Sequence, residues 1–104
     1  LILACIEAAP GATVSGGSIF PAVQNILLAA RGLGLGSALT TRQTRFEAEI
    51  KSMLGIPENV ATVALLPVGF PAEGSRYGPT RRRPLKEVAF SDRWGESWLD
   101  NGSA

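Results

Sequence analysis

The sequence SIFPAVQNILLAARGLGLGSALTT, residues 18–41, predicts a helix that ends in a glycine-rich turn. Ser18 is the expected N-cap, and Pro21 falls in the first helical turn, where its missing N–H costs little. The helix runs to about Arg31 and is apolar nearly all round. A helix of this kind is buried, either at the centre of a fold or between subunits.

Alternate glycines at Gly32, Gly34 and Gly36 follow this helix. A dinucleotide-binding loop needs a strand before its glycines and a helix that starts on them. Here a helix precedes the glycines, and residues 37–41 predict a short strand or an extended turn. We therefore interpret the glycines as a helix stop, with at least one of them in a left-handed cap.

Two apolar runs, residues 1–7 and 60–68, predict core strands. Between them, a second helix is predicted in which Thr44 and Glu47 have the spacing of a capping box and Gly55 ends the helix. Its apolar residues recur on one face: Phe46, Ile50, Met53 and Leu54.

The C-terminal third predicts a proline-containing loop over residues 69–84 and an edge strand over residues 86–90. Trp94 and Trp98 follow in the tail. Because tryptophan side chains seldom stay in water, we expect this tail to dock on another surface.

The composition excludes several classes of site. The chain has 104 residues, a net charge of +1, no histidine and one cysteine, Cys5. An internal disulfide and Ser-His-Asp catalysis are therefore excluded within the chain, and an ordinary zinc site is disfavoured. The charge balance indicates neither nucleic acid nor membrane as a partner, and the single thiol fits a reducing, cytoplasmic setting. Because an apolar strand begins at the first residue, we expect the chain to be the C-terminal part of a longer protein.

Arg81, Arg82 and Arg83 stand between a Gly-Pro turn and Pro84 and form the densest charge in the chain. Three guanidiniums on one short loop suit a phosphate, because arginine binds phosphate oxygens bidentately. The alternative is a solvated face, which is the usual role of a charge run. The turn hydroxyls have two open interpretations, backbone capping or ligand contact: Thr40, Thr41 and Thr44.

Three segments together resemble the FMN-dependent nitroreductase family. Residues 18–41 resemble its central helix and the following turn. Residues 54–57 and 63–71 are similar to its next helix end and strand, and residues 81–88 resemble its C-terminal basic motif. The resemblance implies an α+β fold, with a mixed sheet flanked by helices and a C-terminal segment exchanged between subunits. The 104 residues would be the C-terminal part of a single domain in a homodimer.

The resemblance also implies an activity and a site. The parent protein would be an FMN-dependent oxidoreductase that transfers reducing equivalents from NAD(P)H to a nitroaromatic, quinone or similar small acceptor by a ping-pong route. The alternative is a non-catalytic flavin-binding or dimerisation fragment. The implied cofactor-binding turn packs on one face of the flavin, with a backbone N–H near its last residue approaching N5: Ala38, Leu39, Thr40 and Thr41.

The basic motif would hold the FMN phosphate, and register against Pro84 favours Arg82, then Arg81, then Arg83. No catalytic side chain and no metal ligand is implied. The chain departs from the family in one respect, since nothing in it matches the arginine-rich motif of the N-terminal half, which also grips the phosphate. We therefore expect the isolated chain neither to bind FMN nor to fold stably.

Overall fold

The computed structural model describes residues 1–9, 17–76 and 78–97. The chain divides into two compact units, Leu1–Gly74 and Ser75–Ala104. The elements of the first unit are, in chain order: β1 (Ile2–Glu7), α1 (Phe20–Gly32), β2 (Gly36–Ser37), a 3₁₀ helix (Arg42–Phe46), α2 (Glu47–Leu54), β3 (Val60–Leu66) and β4 (Val68–Gly69). The α+β class expected from the sequence is confirmed, and no described helix has the length and apolar character needed to span a membrane.

The centre of the first unit is an antiparallel ladder between β1 and β3, which confirms both predicted core strands. Its register runs from Ile2 opposite Leu66 to Glu7 opposite Val60, with a bulge at the one extra residue, Val63. A second, two-residue antiparallel ladder joins β2 to β4. The predicted exchange of the C-terminal segment between subunits stays a prediction.

Helix α1 packs on the β1–β3 ladder through Val23, which forms the core cluster with Ala64 and Leu66. Pro21 lies in its first turn, as predicted, because its missing N–H is one that the helix leaves unpaired anyway. The expectation that Ser18 caps the helix is wrong. Ile19 is the N-cap, and no side chain donates or accepts a capping bond there.

Within this chain, α1 is not buried all round. Val23 and Ala30 are its buried residues, whereas Leu28 is 59% exposed. In this chain the predicted burial is therefore only partial, and burial at the centre of a longer protein or between subunits stays a prediction. The helix ends as expected, with Gly34 at φ 79° in the left-handed region that a residue without Cβ adopts at no steric cost.

The predicted capping box is also wrong. Phe46 is the N-cap of α2 without a side-chain bond, and the Thr44 hydroxyl instead donates to the Thr41 carbonyl at 2.8 Å. The Glu47 carboxylate turns away to β3. The apolar stripe of α2 is largely uncovered in this chain, since Met53 is 80% exposed, and no residue of α2 is buried.

In the second unit, the predicted edge strand over residues 86–90 is wrong. Pro84 is extended, and the chain then turns through a 3₁₀ helix, Leu85–Glu87, closed by the Glu87 N–H on the Pro84 carbonyl. Trp94 is 91% exposed but meets the Phe90 ring edge to face, with ring centres 4.8 Å apart. Trp98 lies outside the described residues.

Candidate functional site

The turn 38–41 is hydrogen-bonded to the backbone of β3 and of Pro67, which follows β3. The Ala38 N–H donates to the Pro67 carbonyl at 3.2 Å, and Thr40 exchanges two backbone hydrogen bonds with Leu65. In an extended segment, successive N–H groups point to opposite edges. The N–H groups of Leu39 and Thr41 therefore face away from β3.

These two N–H groups have no hydrogen-bond acceptor among the described residues, whereas their neighbours are satisfied. The next amide, that of Arg42, donates to the Thr40 hydroxyl at 3.2 Å. Thr41 is exposed, and Leu39 is 42% exposed. The turn thus presents two backbone donors on one exposed edge, an arrangement that can bind an acceptor atom of a ligand.

The turn hydroxyls were expected either to cap backbone groups or to contact a ligand, and two of the three cap backbone groups. Thr40 Oγ1 accepts the Arg42 N–H, and Thr44 Oγ1 donates to the Thr41 carbonyl, so both satisfy backbone groups as hydroxyls in turns commonly do. For these two residues the structure favours the capping role. The side chain of Thr41 has no hydrogen bond within the part of the chain that the structure describes.

The arginine triplet lies in the second unit, in the loop that leads into the 3₁₀ helix Leu85–Glu87. All three residues are exposed. Arg83 Nε lies 3.3 Å from Glu87 Oε2, in a surface pair of the i,i+4 kind. Arg81 and Arg82 form no ion pair with any residue that the structure describes, so their N–H donors are available to an anion.

The sequence did not single out the bond between Glu47 and Thr62. Glu47 Oε1 accepts the Thr62 N–H at 2.7 Å and the Thr62 hydroxyl at 3.0 Å. The capping-box spacing predicted a contact of Glu47 with the backbone near Thr44, not with Thr62. Gln43, in the 3₁₀ helix before α2, is 4% exposed, and neither of its amide atoms has a partner among the described residues.

Cys5 lies half-buried in β1, and its thiol donates weakly to the Leu3 carbonyl. Burial raises the pKa of the Cys5 thiol, the Glu47 carboxylate raises it further, and Lys51 opposes them. A thiol held neutral is a poor nucleophile, in agreement with the packing role expected from the sequence. The described residues contain no group of three His, Cys, Asp or Glu side chains that could hold a metal ion.

An open groove of about 390 Å³ lies beside the turn. Its floor is the β2–β4 ladder, and its lining is mostly apolar: Gly36, Ser37, Ala38, Pro67, Val68, Gly69, Phe70 and Pro71. Phe70 is 90% exposed at its rim. This open, mostly apolar groove next to backbone donors could contact one face of a planar ligand without enclosing it.

Comparison with known proteins gives a consistent result. The model of the nitroreductase family matches residues 3–70. A protein of Archaeoglobus fulgidus named as an NADH dehydrogenase/NAD(P)H nitroreductase is 42% identical over 76 residues, which cover 70% of this chain and 43% of that protein. The NADPH-flavin oxidoreductase of Vibrio harveyi is 32% identical over 78 residues, covering 75% of this chain and 32% of that protein.

A solved structure also matches, that of a nitroreductase family protein from Clostridium novyi NT. It is 27% identical, with a TM-score of 0.51, and the match covers 94% of this chain and 53% of that one. The chain spans less than half of the length of the curated relatives named above.

Proposed function

The chain belongs to the nitroreductase family, and from this premise we propose that the full-length protein is an FMN-dependent oxidoreductase that uses NAD(P)H. Two of the relatives support this proposal by name, one as an NAD(P)H nitroreductase and one as an NADPH-flavin oxidoreductase. We further propose a homodimer, and a nitroaromatic, quinone or similar small molecule as the electron acceptor.

One observation carries the proposal for the cofactor, namely the Thr41 N–H, which has no acceptor in the described part of the chain. With the Leu39 N–H it forms a pair of donors on the exposed edge of the turn, as a flavin ring with acceptor atoms at its edge requires. The groove floor beside Ala38 is apolar enough to pack against a flat ring. The turn and the groove of the first unit are therefore compatible with a flavin ring.

FMN, when bound, supplies the redox chemistry, and the protein supplies binding and orientation. Thr41 and Leu39 would donate backbone hydrogen bonds to the ring, and Ala38 would pack against it. Arg82, with Arg81, would hold the phosphate through its free donors. Arg83 is the weaker candidate, because it already pairs with Glu87.

The test is titration of the purified full-length protein with FMN, followed by absorbance and by quenching of flavin fluorescence. We expect saturable binding and NAD(P)H-dependent bleaching of the bound flavin. Binding without bleaching would support the alternative of a non-catalytic flavin-binding protein. Absence of binding would contradict both functions.

A further inference from the structure

The Thr62 N–H lies beside the bulge in β3 and bonds to a side chain outside the β1–β3 ladder. Ala4 pairs with Ala64, but the next residue, Cys5, pairs with Thr62, so one residue of β3 is skipped. The skipped residue is Val63, whereas Thr62 keeps its place opposite Cys5. The Thr62 N–H is satisfied by Glu47 Oε1 at 2.7 Å.

The same oxygen also accepts the Thr62 hydroxyl at 3.0 Å. Thr62 is 5% exposed, so a buried N–H without this acceptor would be destabilising. Hydrogen bonds to a carboxylate are stronger than those between neutral groups. Glu47 is therefore fixed against β3, whereas Glu49, in the same first turn of α2, is exposed and makes no such contact among the described residues.

The 3₁₀ helix Arg42–Phe46 lies between two attachments to β3. Upstream, Thr40 is bound to Leu65 by two backbone hydrogen bonds, and downstream, Glu47 is bound to Thr62. The segment between them is the 3₁₀ helix Arg42–Phe46, whose first turn is closed by the Thr44 N–H on the Thr41 carbonyl at 3.2 Å. The peptide groups on either side of Thr41 lie between these two attachments.

We propose that Glu47 is a positioning residue, which through its bond to Thr62 fixes the 3₁₀ helix and so aims the Thr41 N–H at the ligand of the turn. The proposal rests on the proposed flavin function. Glu47 itself does not touch the ligand in this scheme. Its role is to keep the peptide group of Thr41 in one orientation. Loss of Glu47 would therefore weaken the hydrogen bond from the Thr41 N–H to the ligand and leave the redox reaction of the ligand unchanged.

The experiment uses the full-length holoprotein with ¹⁵N-labelled FMN. Glu47→Leu removes both acceptor oxygens at similar volume, and Glu47→Gln keeps one. The matched controls are Glu49→Leu and Glu49→Gln, which make the same changes in the same helical turn. The readouts are the FMN dissociation constant and the ¹⁵N shift of flavin N5, which reports hydrogen bonding at that atom.

We expect Glu47→Leu to weaken FMN binding by up to about tenfold, the effect of losing the one hydrogen bond from Thr41 that it would misalign, and to move the N5 shift toward that of FMN in water. Glu47→Gln should recover most of both values, and the Glu49 variants should match the wild type. A folded Glu47→Leu protein with wild-type affinity and shift overturns the proposal.

If Glu47→Leu does not fold, Glu47→Asp replaces it, since it keeps the charge but is one CH₂ shorter, which draws the acceptor oxygen away from the Thr62 N–H. A smaller N5 shift change in the same direction then supports the proposal, and an unchanged shift overturns it. A wild-type protein that binds no FMN overturns the proposed function together with this role. Binding by the wild type with unaffected variants overturns only the role of Glu47.

Discussion

Thr40 and Leu65 exchange two backbone hydrogen bonds, from the Thr40 N–H to the Leu65 carbonyl at 3.0 Å and from the Leu65 N–H to the Thr40 carbonyl at 2.9 Å. Leu65 stands between Ala64 and Leu66, which are both 0% exposed. The exposed turn is therefore tied to the most deeply buried strand of the first unit. A binding turn anchored in this way is ordered before its ligand arrives, so less conformational entropy is lost on binding.

The first prediction concerns the Thr41 N–H. Thr41→Pro removes this donor, whereas Thr41→Ala keeps it and removes only the side chain. We expect Thr41→Pro to weaken FMN binding by about tenfold, since a net hydrogen bond is worth about 1 kcal/mol and its loss leaves a flavin atom unpaired. Fluorescence titration of full-length protein measures the effect.

Thr41 has φ −113°, so proline also strains the turn, and circular dichroism must show an intact fold. Equal affinity for Thr41→Pro and Thr41→Ala in folded protein would contradict the assignment of this amide to the flavin.

The second prediction separates phosphate binding from ring binding. Arg82→Ala should reduce affinity for FMN roughly tenfold, because a charge-assisted contact is lost, and should leave affinity for riboflavin, which has no phosphate, unchanged. Arg83→Ala should have a smaller effect, since Arg83 is engaged with Glu87. The matched control is Arg76→Ala, an exposed arginine outside the triplet. An equal loss for both flavins would indicate a folding defect instead, and no loss would make the triplet a solvated surface.

Periodicity and turn chemistry were enough to predict the main elements. Both core strands, the extent of α1 and the glycine stop with Gly34 in the left-handed region follow from local signals, and all are confirmed. The family was also identified correctly, and its model covers residues 18–41 and most of the second segment, up to residue 70, but not residues 81–88. These features depend on near neighbours in the chain, which a sequence shows directly.

The predictions that were wrong concern residues whose conformation is determined by contacts with residues far away in the sequence. Glu47 has the spacing of a capping residue, but an unpaired N–H on Thr62, fifteen positions away, offers a better partner. Residues 86–90 alternate like a strand, but among the described residues only Phe90 forms a β-bridge, to Ser97, and after Pro84 a 3₁₀ turn forms. The bulge at Val63, next to Thr62, also has no local sequence signal of its own.

The third prediction concerns the core of the first unit. Leu66→Ala should lower the free energy of unfolding by about 2–5 kcal/mol, because Leu66 is 0% exposed and its truncation leaves a cavity beside Val23. Met53→Ala, at a position that is 80% exposed, is the control and should change stability by about 0.5 kcal/mol or less. Urea unfolding of the full-length protein provides the comparison. A large effect of Met53→Ala would show that another surface covers α2 in the full-length protein.

The fourth prediction follows from the raised pKa of Cys5, which burial causes first and the Glu47 charge second. In the unfolded chain, alkylation of Cys5 by iodoacetamide should have its pH midpoint near the ordinary pKa of about 8.5. In the folded protein the midpoint should lie at higher pH. Because the folded pKa is the higher one, the stability contributed by Cys5 is complete below the unfolded pKa and is lost as pH rises through the folded pKa. Cys5→Ala should remove this part of the alkaline destabilisation. Identical midpoints for folded and unfolded protein would contradict the effect of burial.

The fifth prediction compares two glycines that end helices. Gly55 follows α2 at φ 69°, whereas Gly32 is the last residue of α1 and does not have a positive φ. A Cβ added at either position meets nothing within 4 Å, so sterics with neighbours do not distinguish them. Gly55→Ala should destabilise the protein by about 1–2 kcal/mol, because an L-residue is strained in the left-handed region. Gly32→Ala should stabilise it by about 0.5–1 kcal/mol through lower entropy of the unfolded chain. Thermal unfolding of the two variants measures the difference, and the same sign for both would show that backbone conformation is not what distinguishes these sites.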